Sequence, residues 1–89
     1  MSSVNVTVMD VTGSRRQEAT LPADVPVVRV LAALVERMGL PTLGPDGGPI
    51  SYRFHHRDSG RQLSGAETLS NAGVLEGHTL RLQPEIIAG

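Results

Sequence analysis

An α+β fold, one helix laid against one face of a mixed sheet, is predicted by three features of this 89-residue sequence. Two alternating segments joined by a glycine turn open the chain, a single amphipathic segment of helical period follows, and further alternating segments close it. A chain of this size forms one small domain that buries roughly 60% of its unfolded surface, with little room for a deep pocket.

Each element has its own signal. Val4, Val6 and Val8 alternate with Asn5, Thr7 and Met9, the period-two pattern of a half-buried strand. Thr12-Gly13-Ser14 supplies turn chemistry, and Arg16 to Leu21 returns as a second strand with Ala19 and Leu21 facing inward. Pro26 suits the first helical position, where its missing N–H loses nothing, and Asp24 complements the positive end of the helix dipole. Val27, Val30, Leu31, Leu34 and Met38 then form one apolar stripe. Gly39 is placed to cap the helix in the left-handed conformation, and Pro41 prevents it restarting. After a loop over 43–49, Ile50, Tyr52 and Phe54 alternate with Ser51, Arg53 and His55 as a third strand. Asp58-Ser59-Gly60 turns the chain into a short fourth strand, Arg61-Gln62-Leu63, and His78 to Leu82 reads as the last. Pro84 cannot donate to a ladder, so pairing is expected to end there.

Composition narrows the function classes. The net charge is −1 and neither sign dominates a segment, so nucleic acid and membrane surfaces are poor partners. No run approaches the ~20 apolar residues of a membrane span. Met1-Ser2-Ser3-Val4-Asn5 lacks the basic and apolar regions of a signal peptide, so a cytoplasmic location is expected. Cysteine is absent and the only aromatic residues are Tyr52 and Phe54, which implies an aliphatic core without disulfides. All basic residues are arginine, so no side-chain amine is available for acylation.

No catalytic constellation is visible, and neither enzymatic activity, a cofactor nor a metal is expected. His55 and His56 are adjacent on a strand and point to opposite faces, so they cannot jointly hold a metal. His78 reads as a solvated residue near a hairpin end. Gly44, Gly47 and Gly48 lie in a loop without the lysine and helix start of a phosphate-binding loop. The outward positions Arg53, His55 and Arg57 are the candidate interaction surface.

The segment Thr68-Leu69-Ser70, the apolar Val74 five residues after Leu69, and the strand Thr79-Leu80-Arg81-Leu82 together resemble the carboxyl-terminal third of ubiquitin. Gly60-Arg61-Gln62-Leu63 extends the likeness, which covers nearly the whole chain. It implies a β-grasp (ubiquitin-like) fold, a mixed sheet of four to five strands packed on one helix, with residues 1–83 as the domain and 84–89 as a flexible carboxyl-terminal tail. Leu21-Pro22-Ala23-Asp24-Val25-Pro26-Val27 is similar to the bacterial YukD/EsaB branch of that superfamily. The branch serves type VII secretion, and some members sit beside ubiquitin-type conjugation enzymes.

For function, the resemblance implies first a protein modifier. Gly89 would be activated by a partner ATP-dependent activating enzyme, passed on by a conjugating enzyme and released by a deconjugating protease. Glu85, Ile86, Ile87 and Ala88 would be the tail that the activating enzyme reads. The alternative is an interaction module of type VII secretion that acts through its folded surface; a sulfur carrier is a third, less favoured reading. The tail departs from ubiquitin at two points, with Ala88 in place of the penultimate glycine and Glu85 in place of an arginine. Gln83 likewise replaces the valine of ubiquitin's apolar recognition patch.

Overall fold

A computed structural model describes residues 2–86. Six elements follow in the order β1 (Ser3–Met9), β2 (Arg16–Pro22), α1 (Val27–Met38), β3 (Ile50–His56), β4 (Arg61–Gln62) and β5 (Thr79–Ile86). They form one five-stranded sheet in the order β2-β1-β5-β3-β4. The strands nearest the two ends of the chain, β1 and β5, lie parallel at the centre, and all other neighbours are antiparallel. This is the expected α+β, ubiquitin-like β-grasp architecture.

The alternation in β1 sends Val4, Val6 and Val8 to one face, where they meet Phe54 of β3, Leu80 and Leu82 of β5, and Val27, Val30, Leu31 and Leu34 of α1 in a single apolar cluster. Phe54, Leu80, Leu82 and Val27 are fully buried. The helix stripe is the one read from the sequence, widened by a buried Val35 and ending on a partly buried Met38. Gly39 takes the left-handed conformation (φ 65°, ψ 33°), and its N–H together with that of Leu40 closes the helix onto Glu36 and Val35.

The start of the helix differs from expectation. Pro26, with φ −54° and ψ 138°, precedes the first helical residue, and no side chain caps the helix. The backbone does this work from a distance: the carbonyls of Glu67 and Gly65 accept the N–H groups of Val27 and Val28 at 2.8 and 3.0 Å. The first two orphan donors of the helix are thereby satisfied, Arg29 donates to the carbonyl of Pro26, and Asp24 is left to receive the N–H of Ser2.

The last strand also corrects the sequence reading. Pairing runs through Pro84, opposite Tyr52, to Ile86, opposite Ile50. The reason lies in the ladder's phase. The N–H of Arg57 donates to the carbonyl of Thr79, so the odd-numbered pairs Arg53–Gln83 and Ser51–Glu85 exchange hydrogen bonds, and the even-numbered pairs do not. Pro84 therefore turns its nitrogen away from β3, toward the side of β5 that β1 leaves after Arg81. A proline costs no ladder bond at such an edge.

Candidate functional site

The face of the sheet remote from the helix is polar apart from Met9, whose buried sulfur lies against Arg57. It carries Asn5 and Thr7 of β1, Glu18 and Thr20 of β2, Arg53 and His55 of β3, and Arg81, Gln83 and Glu85 of β5, all exposed or half-exposed. Period-two alternation puts them there, on the face opposite to Val6, Phe54 and Leu82 of the apolar cluster. Arg53, His55 and Arg57, the candidate surface residues, fall along one line on this face. Arg53 pairs with Glu85 diagonally across β3 and β5. Arg81 donates through its guanidinium to the carbonyl of Val11. Arg57 lays Nη1 3.5 Å from the sulfur of buried Met9, and among the described residues it makes no ion pair.

Of the tail positions, Glu85 and the backbone of Ile86 are held in β5 against Ser51 and Ile50. Ile87, Ala88 and Gly89 lie outside the described residues.

A second group of polar side chains gathers where β3 ends and β5 begins. His56 is buried, at 2% exposure, and its Nε2 lies 2.8 Å from Nδ1 of His78. That Nδ1 also accepts the backbone N–H of Leu75 at 3.2 Å, which makes it an unprotonated acceptor. It follows that His56 donates from Nε2 and leaves its own Nδ1 to accept the Ser59 hydroxyl at 2.8 Å. Asp58 stands in the turn between β3 and β4, with Oδ2 3.9 Å from both facing nitrogens. The same oxygen accepts the N–H of Thr79 at 2.8 Å. This bond holds the Asp58 carboxyl below its ordinary range, and burial holds the His56 imidazole below the usual histidine value, reinforced by His78 and opposed by Asp58. Among the described residues, His56, Asp58 and His78 are the group whose ligand atoms are close enough to hold a metal ion. His55 and His56 face opposite ways, as alternation along a strand requires. His78, expected to be a solvated residue, is instead brought to His56 by the β3–β5 register.

The fold and its polar face define a ubiquitin-like domain. The family model described as WXG100 protein secretion system (Wss), protein YukD matches residues 3–82, and the chain belongs to that family. Comparison with curated proteins finds no match. Among solved structures, the ubiquitin-like domain of EccD5 from Mycobacterium xenopi is similar over 99% of this chain and 100% of its own, with a TM-score of 0.74 at 18% identity. A ubiquitin from Caldiarchaeum subterraneum is similar over 99% and 100%, with a TM-score of 0.69 at 21% identity. A de novo protein designed on ubiquitin is similar over 97% and 93%, with a TM-score of 0.72 at 22% identity. At these identities the likeness speaks for the fold alone. Among the described residues, no helix is long and apolar enough to cross a membrane.

Proposed function

We propose that this chain is an interaction module of a WXG100 (type VII) secretion system, acting through the outward face of its sheet and catalysing no reaction itself. The observation that carries this reading is the alignment of Arg53, His55 and Arg57 on a polar, uncovered sheet face in a chain of the YukD family. A line of arginines on a rigid sheet suits an acidic surface of a secretion component on the cytosolic side, because guanidinium groups make bidentate bonds to carboxylates. The ion pair from Arg53 to Glu85 ties one of these side chains to the neighbouring strand β5.

The modifier reading, with Gly89 as the conjugated residue, has less support. Glu85 and Ile86, two of the four residues an activating enzyme would read, are paired into β5. A partner set of activating enzyme, conjugating enzyme and protease finds no counterpart in the family description, which names a secretion system. The sulfur-carrier reading depends on the same terminus and shares this difficulty.

Binding of the purified protein to the cytosolic domains of the cognate secretion apparatus tests the proposal. Affinity should fall steeply between low and physiological salt and be lost in the double variant Arg53→Glu, Arg57→Glu. Salt-independent binding that survives the double reversal would remove the arginine face from the account.

A further inference from the structure

We propose that His56, His78 and Asp58 form a binding site for a divalent transition-metal cation, Zn2+ in the first instance. The argument is geometric. Three potential ligand atoms, Nε2 of His56, Nδ1 of His78 and Oδ2 of Asp58, stand 2.8, 3.9 and 3.9 Å apart. The point equidistant from the corners of that triangle lies about 2.1 Å from each atom, as follows from those three separations. Zinc bonds imidazole nitrogen and carboxylate oxygen at about 2.0–2.2 Å. An ion at that point is at bonding distance from all three atoms, and the rings turn to aim their lone pairs at it.

The surroundings have the other properties that such a site needs. Nδ1 of His56 faces Ser59 Oγ at 2.8 Å, and that hydroxyl lies 3.4 Å from the carbonyl of His56. With a metal on Nε2, the ring carries its proton on Nδ1 and donates to Oγ, and the hydroxyl turns to donate to the carbonyl. A hydrogen bond on the ring nitrogen away from the metal is the arrangement that orients ligating histidines. The N–H of Thr79 holds Asp58 in place from behind. The nearby Arg61 guanidinium, which would repel a cation, is engaged by the Glu67 carboxylate. One ligand is buried, but the Asp58 and His78 side chains are 40% and 25% exposed, so an ion can enter and a water can take the fourth position.

Two adjustments accompany binding. The imidazoles, whose centroids are 5.0 Å apart across the N–H···N bond, turn toward Asp58. The N–H of Leu75 gives up Nδ1 as its acceptor, and Leu75 is an exposed residue whose amide can turn to water. The proton on His56 Nε2 is transferred through water to Nδ1 of the same ring, so both imidazoles bind as neutral ligands and no net proton is released. The ion would tie the end of β3, the turn before β4 and the start of β5 to one centre. It would act as a staple at this end of the sheet, in a chain without cysteine.

The test uses tag-free protein freed of metal with a chelator, at pH 7.5. Zn2+ in excess of its dissociation constant should raise the unfolding temperature by at least about 5 °C. The rise should be absent in Asp58→Asn and in His78→Gln and unchanged in His55→Gln. Independently of any variant, imidazole nitrogen spectra of the wild type titrated with Zn2+ should show Nε2 of His56 and Nδ1 of His78 becoming ligands at one equivalent. Absence of a temperature shift, a shift that survives in Asp58→Asn and His78→Gln, or spectral changes confined to His55 would each overturn the proposal.

Discussion

His55 and His56 are neighbours on β3, yet one belongs to the polar face of the sheet and the other to the buried side. His55 is half-exposed between Arg53 and Arg57, free of the core. His56 is sealed at 2% exposure and committed to His78 and Ser59. The same one-residue step separates Arg53, which is exposed, from Phe54, which is fully buried. In so small a domain the two faces of a strand answer to different demands. The helix side is constrained by packing, and the outer side is available to a partner.

Phe54 is the largest residue at the centre of the cluster and has no exposed surface, so Phe54→Ala should cost about 3–5 kcal/mol in unfolding free energy. Arg53→Ala beside it should change stability by less than about 0.5 kcal/mol. Chemical denaturation of both variants measures the contrast, and similar losses would show that the two faces are not energetically distinct. Leu34→Ala, on the helix side of the same contact, should lie at about 2–5 kcal/mol.

His56→Ala comes next. It opens a small cavity and leaves His78 Nδ1 with the Leu75 amide alone, for a loss of about 2 kcal/mol in metal-free protein. His55→Ala should cost less than about 0.5 kcal/mol. Equal effects would erase the distinction between the paired histidines.

Glu67 sharpens the comparison through pH. Its carboxylate accepts the N–H of Ser64 and pairs with Arg61, and the Arg61 hydrogen bond leads the causes that hold its pKa below the ordinary 4.5. A carboxyl depressed in the fold stabilises it above the unfolded value, and the contribution fades as pH falls below 4.5 through the folded value. Glu67→Gln should therefore cost about 1 kcal/mol at pH 7, with the gap to wild type closing as pH falls below 4.5. A gap that is constant with pH would assign the loss to packing.

The smallest effect belongs to the open edge of β5. Pro84→Ala should shift stability by less than about 0.5 kcal/mol, because the nitrogen at this position faces away from β3. A gain above 1 kcal/mol would mean that a hydrogen bond is being forfeited there.

The helix, its stripe and the hairpin were legible because period and punctuation are local properties of the sequence. The stripe from Val27 to Met38 and the left-handed Gly39 needed nothing from the rest of the chain. What was not legible depends on register between distant segments. Glu67 and Gly65 cap a helix that begins some forty residues earlier, and the alternation of bonded and unbonded pairs decides whether Pro84 breaks a strand. The outer residues Arg53, His55 and Arg57 were read from alternation alone. The partnership of His56 with His78 was not, because twenty-two positions separate them and only the antiparallel pairing of β3 with β5 closes the gap.

The central claim is that the outer sheet face, and not the carboxyl terminus, performs the function. It is tested most directly by returning variants to a host from which the gene has been deleted and measuring export of the WXG100 substrates. The double reversal Arg53→Glu, Arg57→Glu should abolish export while the protein remains folded and at normal abundance, and deletion of Ile87, Ala88 and Gly89 should leave export at the wild-type level. Export that withstands the double reversal and fails on loss of those three residues would contradict the account and return the modifier reading to first place.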